Sequence, residues 1–301
     1  MATTTTARTS AAEKPTYLYK VQSLAVKVLV YMVLLLGLSI VIIPIYWMIA
    51  TSLKTDTALF LIPPQWFPDP IQWSNYIEVW QLVPLARYFA NSVFVTLLAI
   101  LGEIITSALV AYGFARFRFP GRGVLFSIML ATMMLPSIIT LIPSFIIWAR
   151  WLGRYDTYSP LTVGSLFAWG PAYIFLLRQF FLTIPRDIEE AAIIDGGNLL
   201  QIFGYIMLPL VRPALLAITI LSFTGNWNNF LSPLIYLSTP EKFTLPLGLY
   251  QFNKSLAGGS EAPKWNMMMA MAVLMTIPII VLYFRAQRYF IEGITVGAVK
   301  G

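Results

Sequence analysis

The sequence contains no cysteine and no histidine. Without thiols there is no disulfide framework and no thiolate nucleophile. Without imidazole there is no Ser-His or Cys-His pair, and the usual zinc ligands are gone as well. No lysine follows a glycine, so the chain has no phosphate-binding loop ending in Gly-Lys-Ser or Gly-Lys-Thr. Any ATP that drives this protein must be bound by another chain. Charge is scarce too: 11% of the 301 residues are Asp, Glu, Lys or Arg, against roughly 25% in soluble domains. What fills the space is apolar, with 58% hydrophobic residues and a mean hydropathy of +0.74, a composition suited to lipid as solvent. The formal charge of +7 fits loops beside anionic lipid and not nucleic acid, since neither a basic stripe nor an RNA-binding motif accompanies it.

Residues 1–23 are rich in Thr and Ala, carry Arg8, Lys14 and Lys20, and read as a polar tail. The first apolar run, 28–49, exceeds the ~7–15 residues of a signal-peptide core, and no small-residue cleavage site follows it. Five more runs, at 92–114, 124–148, 161–182, 211–237 and 267–284, approach the ~20 residues of a spanning helix. The expectation is an all-α polytopic membrane protein with six transmembrane helices within 24–290 and short tails at 1–23 and 291–301. With the N-terminus in the cytoplasm, thirteen of the twenty cations fall inside and seven outside, while the acids divide evenly, which is the pattern when Lys and Arg set orientation. Both termini are therefore expected in the cytoplasm. The external segment 51–87, with Trp66, Trp73, Tyr76, Trp80 and four prolines between 63 and 70, fits a cap at the lipid–water boundary or a docking place for an external protein.

Between the fourth and fifth runs the chain reads IPRDIEEAAIIDGGNLLQIFGYIMLPLVRP, residues 184–213, within a cytoplasmic loop at 183–210. Pro185 and Asp187 are helix-start residues, Asp187 and Glu190 have capping-box spacing, and three carboxylates stand in the first turn where the helix dipole favours them. Ile188, Ala191, Ala192 and Asp195 share one face, narrow enough for a partner surface to approach closely, and Gly196 and Gly197 can end the helix. Leu199, Ile202, Phe203 and Ile206 form a second amphipathic stretch that leads to Pro209. On these features alone the segment is either an ordinary connector or a helix shaped for a groove.

Glu190, Ala191, Ala192, Asp195, Gly196, Ile206, Leu208 and Pro209 resemble, position for position, the Glu-Ala-Ala loop of the membrane subunits of bacterial ABC importers. Further stretches, NSVFVTLL ahead of AYGFARFRFPGR, RQFFLTIPRDIEEAA, NWNNFLSPLIYL and the ending GITVGAVKG, resemble the MalG-type subunit of the carbohydrate-uptake branch. The resemblance implies a permease in the bacterial inner membrane that catalyses nothing itself and holds no cofactor or metal. ATP and Mg would be held by two separate ATP-binding subunits. It also implies a second, homologous MalF-type permease, an extracytoplasmic solute-binding protein and a sugar substrate. The 187–197 helix would dock on the ATPase, and the tail residues Gly293, Thr295, Gly297, Lys300 and Gly301 would reach the same interface. Gly197 departs from the family, where Ala is usual, and little effect is expected because a small residue is kept.

Two features inside the apolar runs carry polarity. Glu103 stands near the middle of the second run, where a carboxyl group must face the bundle interior, a partner or water; it is either a path residue or a packed acid. Thr224, Gly225, Asn226, Trp227, Asn228 and Asn229 are expected to interrupt the fifth run, and amides beside an indole suit either a sugar or hydrogen bonds between helices. An ion-coupled secondary transporter would carry paired intramembrane charges and internal repeats, and only Glu103 answers that description. A polyol or a glycerol phosphate remains an alternative cargo.

Overall fold

The structure is a computed structural model that describes residues 16–257 and 264–298; Lys300 and Gly301 lie outside the described residues. Among the described residues there are helices and turns but no strand. This is the outcome lipid demands, because a helix satisfies its own backbone where water cannot. Four helices are long and apolar enough to cross a membrane: Val26–Ser52, Leu85–Arg116, Ser159–Thr183 and Trp265–Gln287. Two bent pairs, Arg122–Thr132 with Ser137–Trp151 and Leu199–Leu210 with Arg212–Trp227, bring the number to six when each counts as one span. The last helix continues to Ala298 and takes in Gly293, Thr295 and Gly297.

The third span departs from a straight helix by 94°. Its elbow falls at Pro136, which offers no N–H and holds the preceding residue out of the helical region. In the fifth, Gly225 is helical and the break comes later, at residues 228–230, between the helices Arg212–Trp227 and Leu231–Tyr236. Thr224–Trp227 thus close the first helix, and Asn228 and Asn229 stand in the break itself.

The helix Leu85–Arg116 is the spine. Leu85 and Tyr88 belong to one buried cluster with Trp227, Leu247 and Met271. At its other end Ala108, Ala111 and Ala115 belong to a second cluster with Ile174, Leu177, Phe181, Met207 and Val211. Small residues three and four apart let the helix Pro171–Thr183 approach closely, the packing that replaces hydrophobic driving force in lipid. Gly102 serves the same end: a Cβ there would lie 3.0 Å from the backbone carbon of Ser165. The first span is peripheral, with none of its most apolar stretch buried.

At the end opposite Arg116 the chain is clipped together by polar groups. Asn75 donates to the carbonyls of Ser52 and Lys54 at 2.9 and 3.0 Å, and Asn266 donates to Lys54 O at 3.1 Å. Asp156 accepts from the backbone N–H groups of Ser238 and Thr239 and from Lys242 Nζ, the last at 2.8 Å. Burial presses the Asp156 carboxyl upward, but bonds from Lys242, Thr239 and the two N–H groups outweigh it and hold the group well below the usual carboxylate range.

Candidate functional site

Two places bring polar chemistry together, and one helix connects them. The first is the segment after Thr183. A helix forms over Asp187–Ile194, with Asp187, Glu189 and Glu190 in its first turn. The expected capping box is not made there: the N-cap position is Arg186 and no side chain caps it. The box is found one helix later, where Asn198 and Gln201 bond reciprocally at 2.9 Å. The stop is as the glycines imply. Gly196, at φ +86°, donates to Ile193 O at 3.0 Å, and Gly197 donates to Ala192 O at 2.9 Å, the pair of bonds that closes a Schellman motif. A Cβ on Gly197 would stand 2.9 Å from that same Ala192 oxygen, so the second glycine has a steric reason that its sequence context did not reveal.

The helix is held by one side. Ile188, Glu190, Ala191 and Asp195 are exposed. Ala192 turns inward against the second core cluster, so the four residues expected on one free face are divided between partner side and body side. Glu189 also turns inward. Its Oε1 forms an ion pair with Arg116 Nε at 2.5 Å, with 5% of the Arg116 side chain and 15% of the Glu189 side chain exposed. Arg116 Nη2 also donates to Ile184 O at 2.8 Å, and Tyr112 Oη donates to Glu189 Oε2 at 3.4 Å. The following stretch, Leu199–Leu210, contains a π-type turn over Ile202–Met207 just ahead of Pro209, whose missing N–H loosens the regular ladder. It buries Ile202 and Met207, keeps Ile206 and Leu208 half-buried, and leaves Pro209 exposed. Ile194 at 85%, Leu200 at 77% and Tyr205 at 82% stand in the open.

The second place is a cavity of about 460 Å³ lined by residues of spans two to five, within the range of ~300–1,000 Å³ usual for small-molecule sites. Glu103 and Asn226 face it together. Glu103 Oε2 accepts from Ser222 Oγ at 2.5 Å and, more weakly, from Asn226 Nδ2 at 3.5 Å. Asn229 also lines the cavity, and its Oδ1 accepts from Ser232 N at 3.2 Å. The other two residues expected in the path are elsewhere. Trp227 is 1% exposed, stacks on Phe223 at 5.4 Å and donates Nε1–H to Met275 O at 3.0 Å; it is a core residue. Asn228 spends its amide on Thr224 O at 3.0 Å. The aromatic residues that line the cavity include Trp148 and Trp169, and its hydroxyls include those of Ser137, Thr140, Ser144 and Ser232. None of these six was singled out by sequence pattern, because nothing local marks which side of a span faces the cavity.

Comparison with known proteins places this geometry. The family described as binding-protein-dependent transport system inner membrane component matches residues 104–296. The arabinooligosaccharides transport system permease protein AraQ of Halalkalibacterium halodurans is 33% identical over 265 residues, covering 87% of this chain and 92% of the relative. The sn-glycerol-3-phosphate transport system permease protein UgpE of Yersinia enterocolitica is 32% identical over 271 residues, covering 88% and 94%. A chain in the crystal structure of a bacterial ABC transporter involved in the import of the acidic polysaccharide alginate superposes with a TM-score of 0.76 at 27% identity, covering 93% of this chain and 100% of that one.

Proposed function

The chain belongs to the family of binding-protein-dependent transport system inner membrane components, and from that premise we propose that it forms half of the path by which a sugar or oligosaccharide is imported at the expense of ATP. A homologous permease supplies the other half, an external solute-binding protein delivers the cargo, and one of two ATP-binding subunits docks on the helix Asp187–Ile194 from the cytoplasm, where both termini lie. Glu190, Ala191 and Asp195 face the ATPase, and Gly196 gives the helix its abrupt end.

The observation that carries this reading is the way the helix is mounted. Most of it is exposed, yet Glu189 grips Arg116 at the end of the spine helix, and that spine holds Glu103 in the cavity wall. Closure of the ATPase subunits would move the helix and, through that grip, the cavity. Such a device works only by a difference of contacts between two states. UgpE keeps glycerol phosphate open as a second cargo.

The absence of cysteine makes the test clean. Ala191→Cys gives a single thiol on the exposed face. In native membranes a bifunctional thiol–amine reagent should join it to an ATP-binding subunit that also co-purifies with the tagged wild-type chain, and addition of ATP should change the yield. A chain that purifies alone after crosslinking, or a thiol that never reaches a nucleotide-binding protein, would refute the proposal.

A further inference from the structure

We infer that the cavity passes cargo without negative charge, a neutral glycoside or an amino sugar, and rejects uronates and phosphorylated polyols. The inference rests on the carbohydrate reading above and divides its two cargo alternatives. Among the described residues lining the cavity there is no lysine and no arginine, and Glu103 is the only carboxylate. Its two hydrogen-bond donors, Ser222 and Asn226, are uncharged, so no cation of this chain offsets it at the wall. Only Oε2 is engaged by these donors.

The consequence for an anionic cargo holds in either protonation state of Glu103. If the carboxyl is ionised, a second anion a few ångströms away meets like charge in a medium where screening is poor. If it is neutral, the cargo anion still leaves water for a wall of this chain that offers hydroxyls, amides and indoles but no counter-charge, and an unpaired charge in such a place is heavily penalised. A neutral sugar meets what it needs: hydroxyls of Thr140 and Ser144, the Asn229 amide, and the rings of Trp148 and Trp169. An ammonium group on the sugar would find its counter-charge in Glu103. On this point the chain parts from two proteins it is similar to, whose names give them glycerol phosphate and alginate.

The test uses the complex that co-purifies with this chain, set in nanodiscs without its solute-binding protein so that only the membrane path discriminates. Saturation binding is measured for labelled trisaccharides in matched pairs that differ only by oxidation at C6, hexose against uronate, together with glycerol and glycerol 3-phosphate. The neutral member of each binding pair should be favoured by at least ~10-fold, the size expected for an uncompensated charge, and glycerol 3-phosphate should not bind. Glu103→Arg should narrow or invert the ratio. Thr140→Arg, which leaves the Glu103 bonds untouched, should do likewise and covers the case in which Glu103→Arg fails to assemble. A uronate or glycerol 3-phosphate that binds as well as its neutral counterpart, or ratios unmoved by both arginines, would overturn the inference while leaving carbohydrate import standing. Binding of none of these compounds would instead remove the carbohydrate reading, and this inference with it.

Discussion

Replacing Glu189 by Gln separates transport from ATP hydrolysis if the Arg116 ion pair seats the exposed helix on the spine. Removing one member of a buried pair costs ~3–5 kcal/mol when the pair is fully enclosed, because the partner is left charged and unpaired. Here Glu189 keeps 15% of its side chain exposed and Arg116 keeps its bond to Ile184 O, so a cost just below that range, about 2–3 kcal/mol, is expected. Spent on seating the helix, that is a factor of roughly 30–140 in the ratio of seated to unseated helix. The complex should still assemble and hydrolyse ATP, while sugar taken into proteoliposomes per ATP falls by about an order of magnitude. Arg116→Glu should resemble Glu189→Arg, and the doubly swapped chain should recover part of the coupling, with an interaction energy above ~1 kcal/mol in the four-member cycle. Wild-type sugar-to-ATP ratios in Glu189→Gln, or singles that add to the double within ~0.5 kcal/mol, would refute the mounting.

The helix stop gives two tests and a control: Gly196→Ala, at positive φ, and Gly197→Ala, whose Cβ would stand 2.9 Å from the Ala192 backbone oxygen, should each lower the melting temperature of the complex, whereas Gly204→Ala, with nothing within 4 Å of its Cβ, should not. An unchanged melting temperature in both stop variants would mean the turn is not held as described. Trp227→Ala should destabilise by ~3–5 kcal/mol as a core truncation, whereas Trp227→Phe should retain sugar affinity; a Phe variant that folds normally but loses affinity would return this residue to the path. Asp156 has its carboxyl depressed, so it contributes stability at pH values above the ordinary carboxylate range and loses it as pH falls below that range. Thermal melts in detergent between pH 7 and pH 3 should therefore show a steeper acid loss for wild type than for Asp156→Asn, and identical slopes would dismiss the clip.

Much of this was legible in the sequence, and the reasons are physical. Span number follows from run length because lipid enforces helix, and the helix at 187–194 was marked by acids at its start and glycines at its end. Local chemistry could not choose between Asp187 and Asn198 as the side-chain cap, since both have an acceptor with a Glu or Gln three residues on; the backbone's entry angle decided for Asn198. Arg116 and Glu189 were each explained locally, one by membrane orientation and the other by the helix dipole, and their pairing joins residues far apart in the chain that no periodicity connects. Trp227 beside Asn226 looked like a sugar platform, but neighbours on a helix point about 100° apart, so one faces the cavity and the other the core.

Under the proposed function, the segment after Thr183 is joined to the cavity by two routes. One runs from Glu189 to Arg116 and along the spine helix Leu85–Arg116 to Glu103. The other runs through Leu199–Leu210, across a 78° bend, into Arg212–Trp227, which carries Ser222 and Asn226. The two routes meet where those residues donate to Glu103 Oε2. Packed helices shift as rigid pieces and not as elastic ones. A motion of the segment that moved both helices together would leave that junction intact, whereas one that moved them differently would have to break it. The bend favours the second case, since the spine is joined to the segment by side-chain contacts, chiefly the Glu189–Arg116 ion pair and the Tyr112–Glu189 hydrogen bond, whereas the other helix is joined to it by the chain itself, at an angle. Under the proposed coupling, the Glu103–Ser222 bond is where a differential motion would be felt in the cavity wall, and it gives a carboxylate that membrane depth makes costly a partner where two spans touch.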